Sequence, residues 1–151
     1  MAEPLYQADL DLSALESETL AIIGYGNHGR SHALNLRDMG ARSILIALRE
    51  GSPSRAKAEA DGFEVVSMAE AARRADMLSL LAADEAHGEI WREHIAPHYR
   101  PGLTLLLCHG FSIEYKVIEP PADIDVVLAA AKGPGGAVRS SFEKGGSLIG
   151  F

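Results

Sequence analysis

A glycine-rich turn directly after an apolar run constrains this chain more than any other feature. The apolar residues 20–23 end at Gly24, and Gly26 and Gly29 complete the spacing G-x-G-x-x-G before a helix-like segment, residues 30–39. In such a strand–turn–helix unit, the first glycine permits a tight turn and the second lets a phosphate approach the backbone. The third allows close helix–strand packing. The motif predicts a βαβ unit that binds a dinucleotide at the helix N-terminus, and a purely structural glycine turn is the alternative.

Apolar runs alternate with helix-like segments along the rest of the chain. Strands are predicted at residues 19–23, 43–48, 63–66, 77–81, 104–108 and 126–130, and the start of another at 146–151. Helices are predicted from 30, 53, 68 and 84, with Ser52 capping the second and Ser67 with Glu70 forming a capping box for the third. Uniformly apolar strands are typical of sheets buried on both faces. We therefore expect one domain, residues 1–151, with an α/β, Rossmann-like, doubly wound and mostly parallel sheet.

The composition limits the kinds of partner that the protein is expected to bind and the cellular compartment in which it is expected to act. A formal net charge of -7 argues against a generic nucleic-acid or anionic-membrane binder. No apolar stretch has the length of a membrane span, and the first 18 residues lack the order of a signal peptide. The single cysteine, Cys108, lies in an apolar run. These features predict a cytoplasmic protein with a reduced, buried thiol, and neither nucleic acid nor membrane as a partner.

The end of the second predicted strand indicates which dinucleotide is bound. NAD-preferring enzymes usually carry an acidic residue there, about twenty residues past the glycines, to hold the ribose 2′-hydroxyl. This chain has Arg49 instead, followed by Ser52 and Ser54. A guanidinium and two hydroxyls suit a 2′-phosphate, so the loop favours NADPH. Glu50 could oppose the phosphate or point to solvent, and an exposed charged loop is the alternative interpretation.

Two polar residues follow later strands, at the edge where doubly wound sheets bind ligands. His109 could move or orient a proton, and Lys132 could stabilise negative charge on a carbonyl oxygen. A strand-end histidine bonded to backbone and a solvated loop cation are the structural alternatives. His28 and His32 lie four residues apart but lack the H-E-x-x-H context, so no metal site is predicted.

In this order, the motifs resemble the N-terminal NADPH-binding domain of the ketol-acid reductoisomerases, over nearly the whole sequence. The most specific matches are residues 23–26, 32–38, 48–52, 57–62, 109–111, 120–123 and 132–135. That family converts acetohydroxy acids to dihydroxy acids in branched-chain amino-acid synthesis, coupling an Mg²⁺-dependent alkyl shift to reduction by NADPH.

The resemblance implies a role for each matching residue. The pyrophosphate would be lined by Tyr25, Gly26, Asn27 and His28, and the 2′-phosphate would be held by Arg49, Ser52 and Ser54. The cofactor would be bordered by Asp84, Glu85, His87 and Gly135. His109 would be the active-site histidine, and Lys132 its companion near the substrate.

The sequence also departs from the family pattern. The family usually has Ser-Gln at positions 27–28, proline at 83, glutamine at 87, alanine at 108 and asparagine at 112. Its metal ligands are carboxylates of a helical C-terminal domain with no counterpart here. We therefore expect Mg²⁺ only if such a domain is supplied elsewhere.

Three functions follow as hypotheses. The first is a ketol-acid reductoisomerase domain that is incomplete for isomerisation alone, acting on an acetohydroxy or keto acid. The second is a small stand-alone NADPH-dependent carbonyl or imine reductase, and the third is a non-catalytic NADPH-binding module. An exposed sheet edge at residues 146–151 could pair with a second copy of the chain to form a homodimer.

Overall fold

The computed structural model describes residues 11–146. Its strands are β1 (Thr19–Ile23), β2 (Ser43–Ala47), β3 (Glu64–Val66), β4 (Met77–Leu80), β5 (Thr104–Leu107) and β6 (Asp125–Leu128). Its helices are α1 (Ser13–Ser17), α2 (Asn27–Asp38), α3 (Arg55–Ala60), α4 (Met68–Arg74), α5 (His87–Ile90), α6 (Phe111–Glu114) and α7 (Gly135–Glu143). A 3₁₀ turn, Asp84–Ala86, precedes α5, and a π turn, Trp91–Ile95, continues it.

The six strands form one parallel sheet in the order β3-β2-β1-β4-β5-β6. In the register, Ile22 of β1 lies opposite Ile46 of β2 on one side and Ser79 of β4 on the other. The chain starts in the centre, builds outward to β3, and then returns to build the other half from β4. This confirms the predicted Rossmann-like α/β fold.

The sheet is buried on both faces because successive side chains of a strand point to opposite sides. In β1, Ala21 and Ile23 belong to a core with α4 and α5, whereas Leu20 and Ile22 belong to a core with α2 and α3. A strand buried in this way must be apolar throughout, and the sequence shows this pattern in the central strands.

Several helix boundaries differ from the sequence predictions. Helix α2 begins at Asn27, immediately after the glycine turn, rather than at residue 30. Helix α3 begins at Arg55, so the prediction that Ser52 caps it was wrong: the Ser52 hydroxyl accepts the Ser54 N–H within the preceding turn, at 3.4 Å. The Ser67 cap of α4 is confirmed, since its hydroxyl accepts the Glu70 N–H at 3.2 Å.

The last strand is the exception to the buried pattern. All four residues of β6 are exposed, and within residues 11–146 β6 pairs with β5 alone. β6 is therefore one of the two edge strands of the described sheet, and β3 is the other. The predicted strand at 146–151 falls almost entirely outside the described residues. Gly146 is not in a strand, and residues 147–151 lie outside the described part of the chain.

Helix α7, which the sequence analysis did not predict, packs along α2. The Ser31 hydroxyl donates to the carbonyl oxygen of Gly135 at 2.7 Å, and Arg139 of α7 pairs with Asp38 of α2 at 2.7 Å. The start of α7 is thereby held beside the start of α2. Among the helices of residues 11–146, none is long and apolar enough to cross a membrane.

Candidate functional site

The glycine turn after β1 has the geometry that the motif predicts. Gly24 has a φ of +97°, and a Cβ there would lie 2.9 Å from the carbonyl oxygen of Leu81. A Cβ on Gly29 would overlap the carbonyl oxygen of Gly24. Gly26, by contrast, is exposed, and a Cβ there would meet nothing within 4 Å. The first and third glycines are therefore required by packing, whereas the second leaves open space above the turn.

The N-terminus of α2 opens onto that space. Gly26 is the N-cap residue and provides no side-chain cap, and the N–H of Arg30 makes the first helical bond, to the carbonyl oxygen of Gly26 at 3.0 Å. The preceding backbone N–H groups of the first turn are left for another acceptor. An uncapped helix start behind a glycine turn is suited to bind phosphate.

The Tyr25 side chain is buried, with 3% of its surface exposed, so Tyr25 contributes its backbone to this turn. Its hydroxyl donates to Asp61 at 2.8 Å, and Asp61 also accepts two bonds from the Arg30 guanidinium, at 2.7 and 3.0 Å. The Arg30 bond is the main cause that lowers the pKa of Asp61 to about 2. Asp61, at the end of α3, thus fixes the turn and the first turn of α2 together.

An open cleft of about 340 Å³ continues from the glycine turn to the loop after β2. Arg49, Ser52 and Ser54 all line it, beside Gly24 and Tyr25. The cleft also contains residues that the sequence analysis did not single out: Leu48, Pro53, Met68, Ala82, Ala83, Ala86 and Ile90. Glu50 is exposed and is not among the residues that line this cleft.

A smaller cavity of about 70 Å³ lies at the ends of β4 and β5. Four predicted site residues line this cavity, together with Cys108. The predicted residues are His28, Asp84, His87 and His109. Burial raises the pKa of the half-buried Cys108 thiol, which makes it a poor nucleophile.

Asp84 is the centre of this polar cluster. Its Oδ2 lies 3.1 Å from Nδ1 of His109, and its Oδ1 lies 3.8 Å from Nε2 of His87. His87 is 4% exposed; its Nε2 lies 3.1 Å from the carbonyl oxygen of Ala82, and its Nδ1 2.7 Å from the hydroxyl of Ser112. A carbonyl oxygen only accepts, so Nε2 carries the proton toward Ala82.

His28 forms the other wall of the cavity, beside His32. Their ring centroids are 6.2 Å apart, and the Nδ1 atom of His28 and the Nε2 atom of His32 are buried with no hydrogen-bond partner in the described part of the chain. Burial, with a smaller contribution from His28, lowers the pKa of His32. Within residues 11–146, no three His, Cys, Asp or Glu side chains are grouped to hold a metal ion.

The remaining predicted residues lie around these two cavities. Gly135 is buried at the start of α7, where a Cβ would come within 2.6 Å of the backbone N of His28. Asn27 is exposed at the start of α2. Glu85 and Lys132 are exposed and line neither cavity. Asp61 was missed as a residue that supports the site, although a buried tyrosine in the glycine turn signals the need for a partner.

A larger groove of about 490 Å³ lies between α2, α3 and α7, and the predicted site residue Asn27 is among the residues that line it. Its arginines already have anionic partners: Arg30 pairs with Asp61, and Arg139 with Asp38 and Glu143. Because these charges are satisfied within the chain, the glycine-turn cleft is the better candidate site.

Comparison with known proteins agrees with this geometry. The family model described as the NADPH-binding domain of acetohydroxy acid isomeroreductase matches residues 14–150. An NADH-preferring ketol-acid reductoisomerase from an uncultured archean is similar at 37% identity and a TM-score of 0.93, over 99% of this chain and 46% of that one.

Two more distant structures share the fold alone. The first is 3-hydroxyisobutyrate dehydrogenase of Mycobacterium tuberculosis, at 18% identity and a TM-score of 0.63, over 82% of this chain and 44% of that one. The second is an imine reductase variant of Myxococcus stipitatus in complex with NAD⁺, at 16% identity and a TM-score of 0.62, over 81% of this chain and 43% of that one. The chain spans less than half the length of each of these three structures. It belongs to the acetohydroxy acid isomeroreductase family, also called the ketol-acid reductoisomerases, as an NAD(P)-binding oxidoreductase module.

Proposed function

We propose that this chain binds NADPH in the cleft above the glycine turn and provides the reducing half of a ketol-acid reductoisomerase. The observation that carries the proposal is the convergence of two phosphate-binding features on one cleft. Gly24 and Tyr25 of the glycine turn, which leads into the uncapped start of α2, line the cleft together with Arg49, Ser52 and Ser54. The open space above Gly26 fits a pyrophosphate, and the guanidinium fits a 2′-phosphate.

The substrate end of the site is proposed to be the small cavity with His109. The bound reduced nicotinamide supplies the hydride. His109 holds a proton for the carbonyl oxygen of the substrate. The family pattern assigns Lys132, which does not line this cavity, to the negative charge that develops on that oxygen. We propose an acetohydroxy or keto acid as the substrate, in line with the family to which the chain belongs.

The isomerisation half of the reaction is proposed to need carboxylates from another domain. No metal-holding group is present among residues 11–146, and an apolar face is exposed beside the site on α6 and β6. We propose that this face contacts a metal-binding domain that carries Mg²⁺, or a second copy of the chain.

The lone half-buried cysteine is consistent with a reducing compartment, and we place the activity in the cytoplasm.

A stand-alone NADPH-dependent carbonyl or imine reductase is the second candidate. The cluster of Asp84, His87 and His109 favours it, because proton transfer to a reduced carbonyl needs no metal.

The assay that separates the candidates follows NADPH oxidation by the chain, first with Mg²⁺ and acetolactate and then with simple keto acids. We expect no acetolactate turnover without a further domain. Turnover of keto acids alone would favour the reductase, and tight binding without turnover would favour a non-catalytic module.

Cofactor preference is tested by titrating NADPH and NADH against the wild-type chain and Arg49→Asp. We expect the wild type to bind NADPH about tenfold or more tightly than NADH, and the variant to lose that preference, because a carboxylate repels the 2′-phosphate and accepts from a 2′-hydroxyl. Arg42→Asp makes the same charge change before β2, on an exposed residue, and should leave both affinities unchanged. Equal affinity of the wild type for both cofactors would show that the NADPH assignment is wrong.

A further inference from the structure

The two loops that follow β4 and β5 are joined by a pair of side-chain contacts. Asp84 in the first loop contacts His109 in the second, at 3.1 Å. One helical turn later, His87 contacts Ser112, at 2.7 Å. Each contact joins residues 25 positions apart, so together they fix the spacing of the two loops.

The His87 contact is the buried anchor of this pair. His87 is 4% exposed and Ser112 is 1% exposed. Nε2 of His87 donates to the Ala82 carbonyl, so when the ring is neutral Nδ1 accepts from the Ser112 hydroxyl. The start of α6 is thereby held to the start of α5 and to the segment after β4, and His109 lies two residues before α6.

The Asp84 carboxylate contacts a ring that is largely open to solvent, since the side chain of His109 is 66% exposed. A carboxylate only accepts, so it selects the form of His109 whose Nδ1 carries a hydrogen. In the neutral ring, Nε2 then has the free lone pair, and in the protonated ring Nε2–H is the donor that remains available. In either form, the nitrogen remote from Asp84 is left for a substrate.

We propose that Asp84 is a positioning residue for His109, setting its tautomer and orientation, and that the His87–Ser112 pair holds the loop that carries it. This rests on the proposed function in one respect, namely that His109 serves the carbonyl oxygen. Nε2 of protonated His109 would give its proton to that oxygen, while the carbonyl carbon would take up the hydride that bound reduced nicotinamide would supply. The electron pair of the C–O π bond becomes the new O–H bond, and the neutral ring keeps its Nδ1–H on Asp84.

The first test is independent of cofactor and activity. The intact chain is prepared with ¹⁵N-labelled histidine, and two-bond ¹H–¹⁵N correlation spectra report which nitrogen of each ring is protonated. His109→Gln assigns the signal among the six histidines. In the wild type above neutral pH, we expect His109 to carry its hydrogen on Nδ1. In Asp84→Ala, it should shift to Nε2, the form that free imidazole prefers, with the His87 signals unchanged.

Matched variants separate this effect from a general loss of structure. Asp84→Asn keeps a neutral acceptor and should retain part of the Nδ1–H form. Glu89→Gln removes an exposed acidic charge from α5, the helix that follows the Asp84 turn, and should leave the His109 signals as in the wild type. An unchanged His109 tautomer in Asp84→Ala overturns the proposal.

The second test uses the substrate that the NADPH assay identifies. We expect Asp84→Ala to lower kcat by about tenfold or more with little change in the Kd of NADPH, and Asp84→Asn to recover part of kcat. A changed tautomer with unchanged kcat would show that Asp84 does not position His109 for the reaction. If no substrate is turned over, the proposed function fails, while the spectra still decide whether Asp84 sets the tautomer.

Discussion

At the scale of single residues, the glycines of the turn after β1 have different roles: Gly29 is required for packing, and Gly26 leaves space for binding. A Cβ on Gly29 would overlap the Gly24 carbonyl, whereas one on Gly26 would stand in open space at an ordinary φ of -78°. We expect Gly29→Ala to lower the free energy of unfolding by on the order of 2–4 kcal/mol. Gly26→Ala should change it by no more than about 1 kcal/mol, yet weaken NADPH binding about tenfold, because its methyl group occupies the space above the turn.

Urea unfolding and cofactor titration of the two variants check this pair of effects. Each variant serves as the control for the other, since both add one methyl group within the same motif. If Gly26→Ala binds NADPH as tightly as the wild type, the pyrophosphate does not approach this turn.

The sequence allowed the roles of these glycines to be predicted, but not the contacts between distant side chains. Positions 87 and 112 were both identified as departures from the family pattern, yet only the structure shows that His87 and Ser112 are hydrogen-bonded to each other. A single sequence carries no information about which of its residues meet across 25 positions. The same holds for Tyr25 and Asp61, which lie 36 positions apart.

At the scale of elements, Asp61 couples α3 to the glycine turn and α2. Its carboxylate accepts from Tyr25 and Arg30, and these bonds lower its pKa from a usual 3.8 to about 2. A lowered folded-state pKa means that the stabilisation is complete above about pH 4 and is lost as the pH falls toward 2. We expect Asp61→Asn to lower the free energy of unfolding by about 2 kcal/mol at pH 7, with the difference closing between pH 4 and pH 2.

Urea unfolding at several pH values measures this difference. Glu59→Gln, two residues earlier in the chain, removes an exposed ion pair with Arg55 and should cost no more than about 0.5 kcal/mol at any pH. A constant difference between wild type and Asp61→Asn across the acid range would contradict the coupling.

The elements themselves were predictable to different degrees. Strands β1 to β5 were located within a residue or two, because each contains a run of apolar residues that packs in the sheet. Helix α7 was missed because it begins with two glycines, which are poor helix formers, and its stability depends on tertiary contacts with α2 such as the Ser31–Gly135 bond. Helix α6, with four residues and an exposed Phe111, has too little helical periodicity to be recognised.

At the scale of the whole molecule, the described sheet ends in an apolar edge. Val126, Val127 and Leu128 of β6 are 44%, 41% and 49% exposed, and Phe111 and Tyr115 are exposed beside them. A cavity of about 280 Å³ lies between β6 and α6. An exposed strand edge with apolar side chains on both faces favours pairing with further chain.

This edge predicts self-association of the chain when no other domain covers it. We expect light scattering to show a dimer at the highest attainable concentration, and Val127→Lys to shift the equilibrium to monomer, because a charged side chain on an edge strand opposes pairing. Ala56→Lys adds the same charge at an exposed position of α3 and should leave the dimer intact. A wild-type chain that stays monomeric would exclude the homodimer and leave a separate metal-binding domain as the proposed cover. In that case, a covering domain added in trans should bind the wild-type chain more tightly than Val127→Lys, since the lysine would have to be desolvated in the contact.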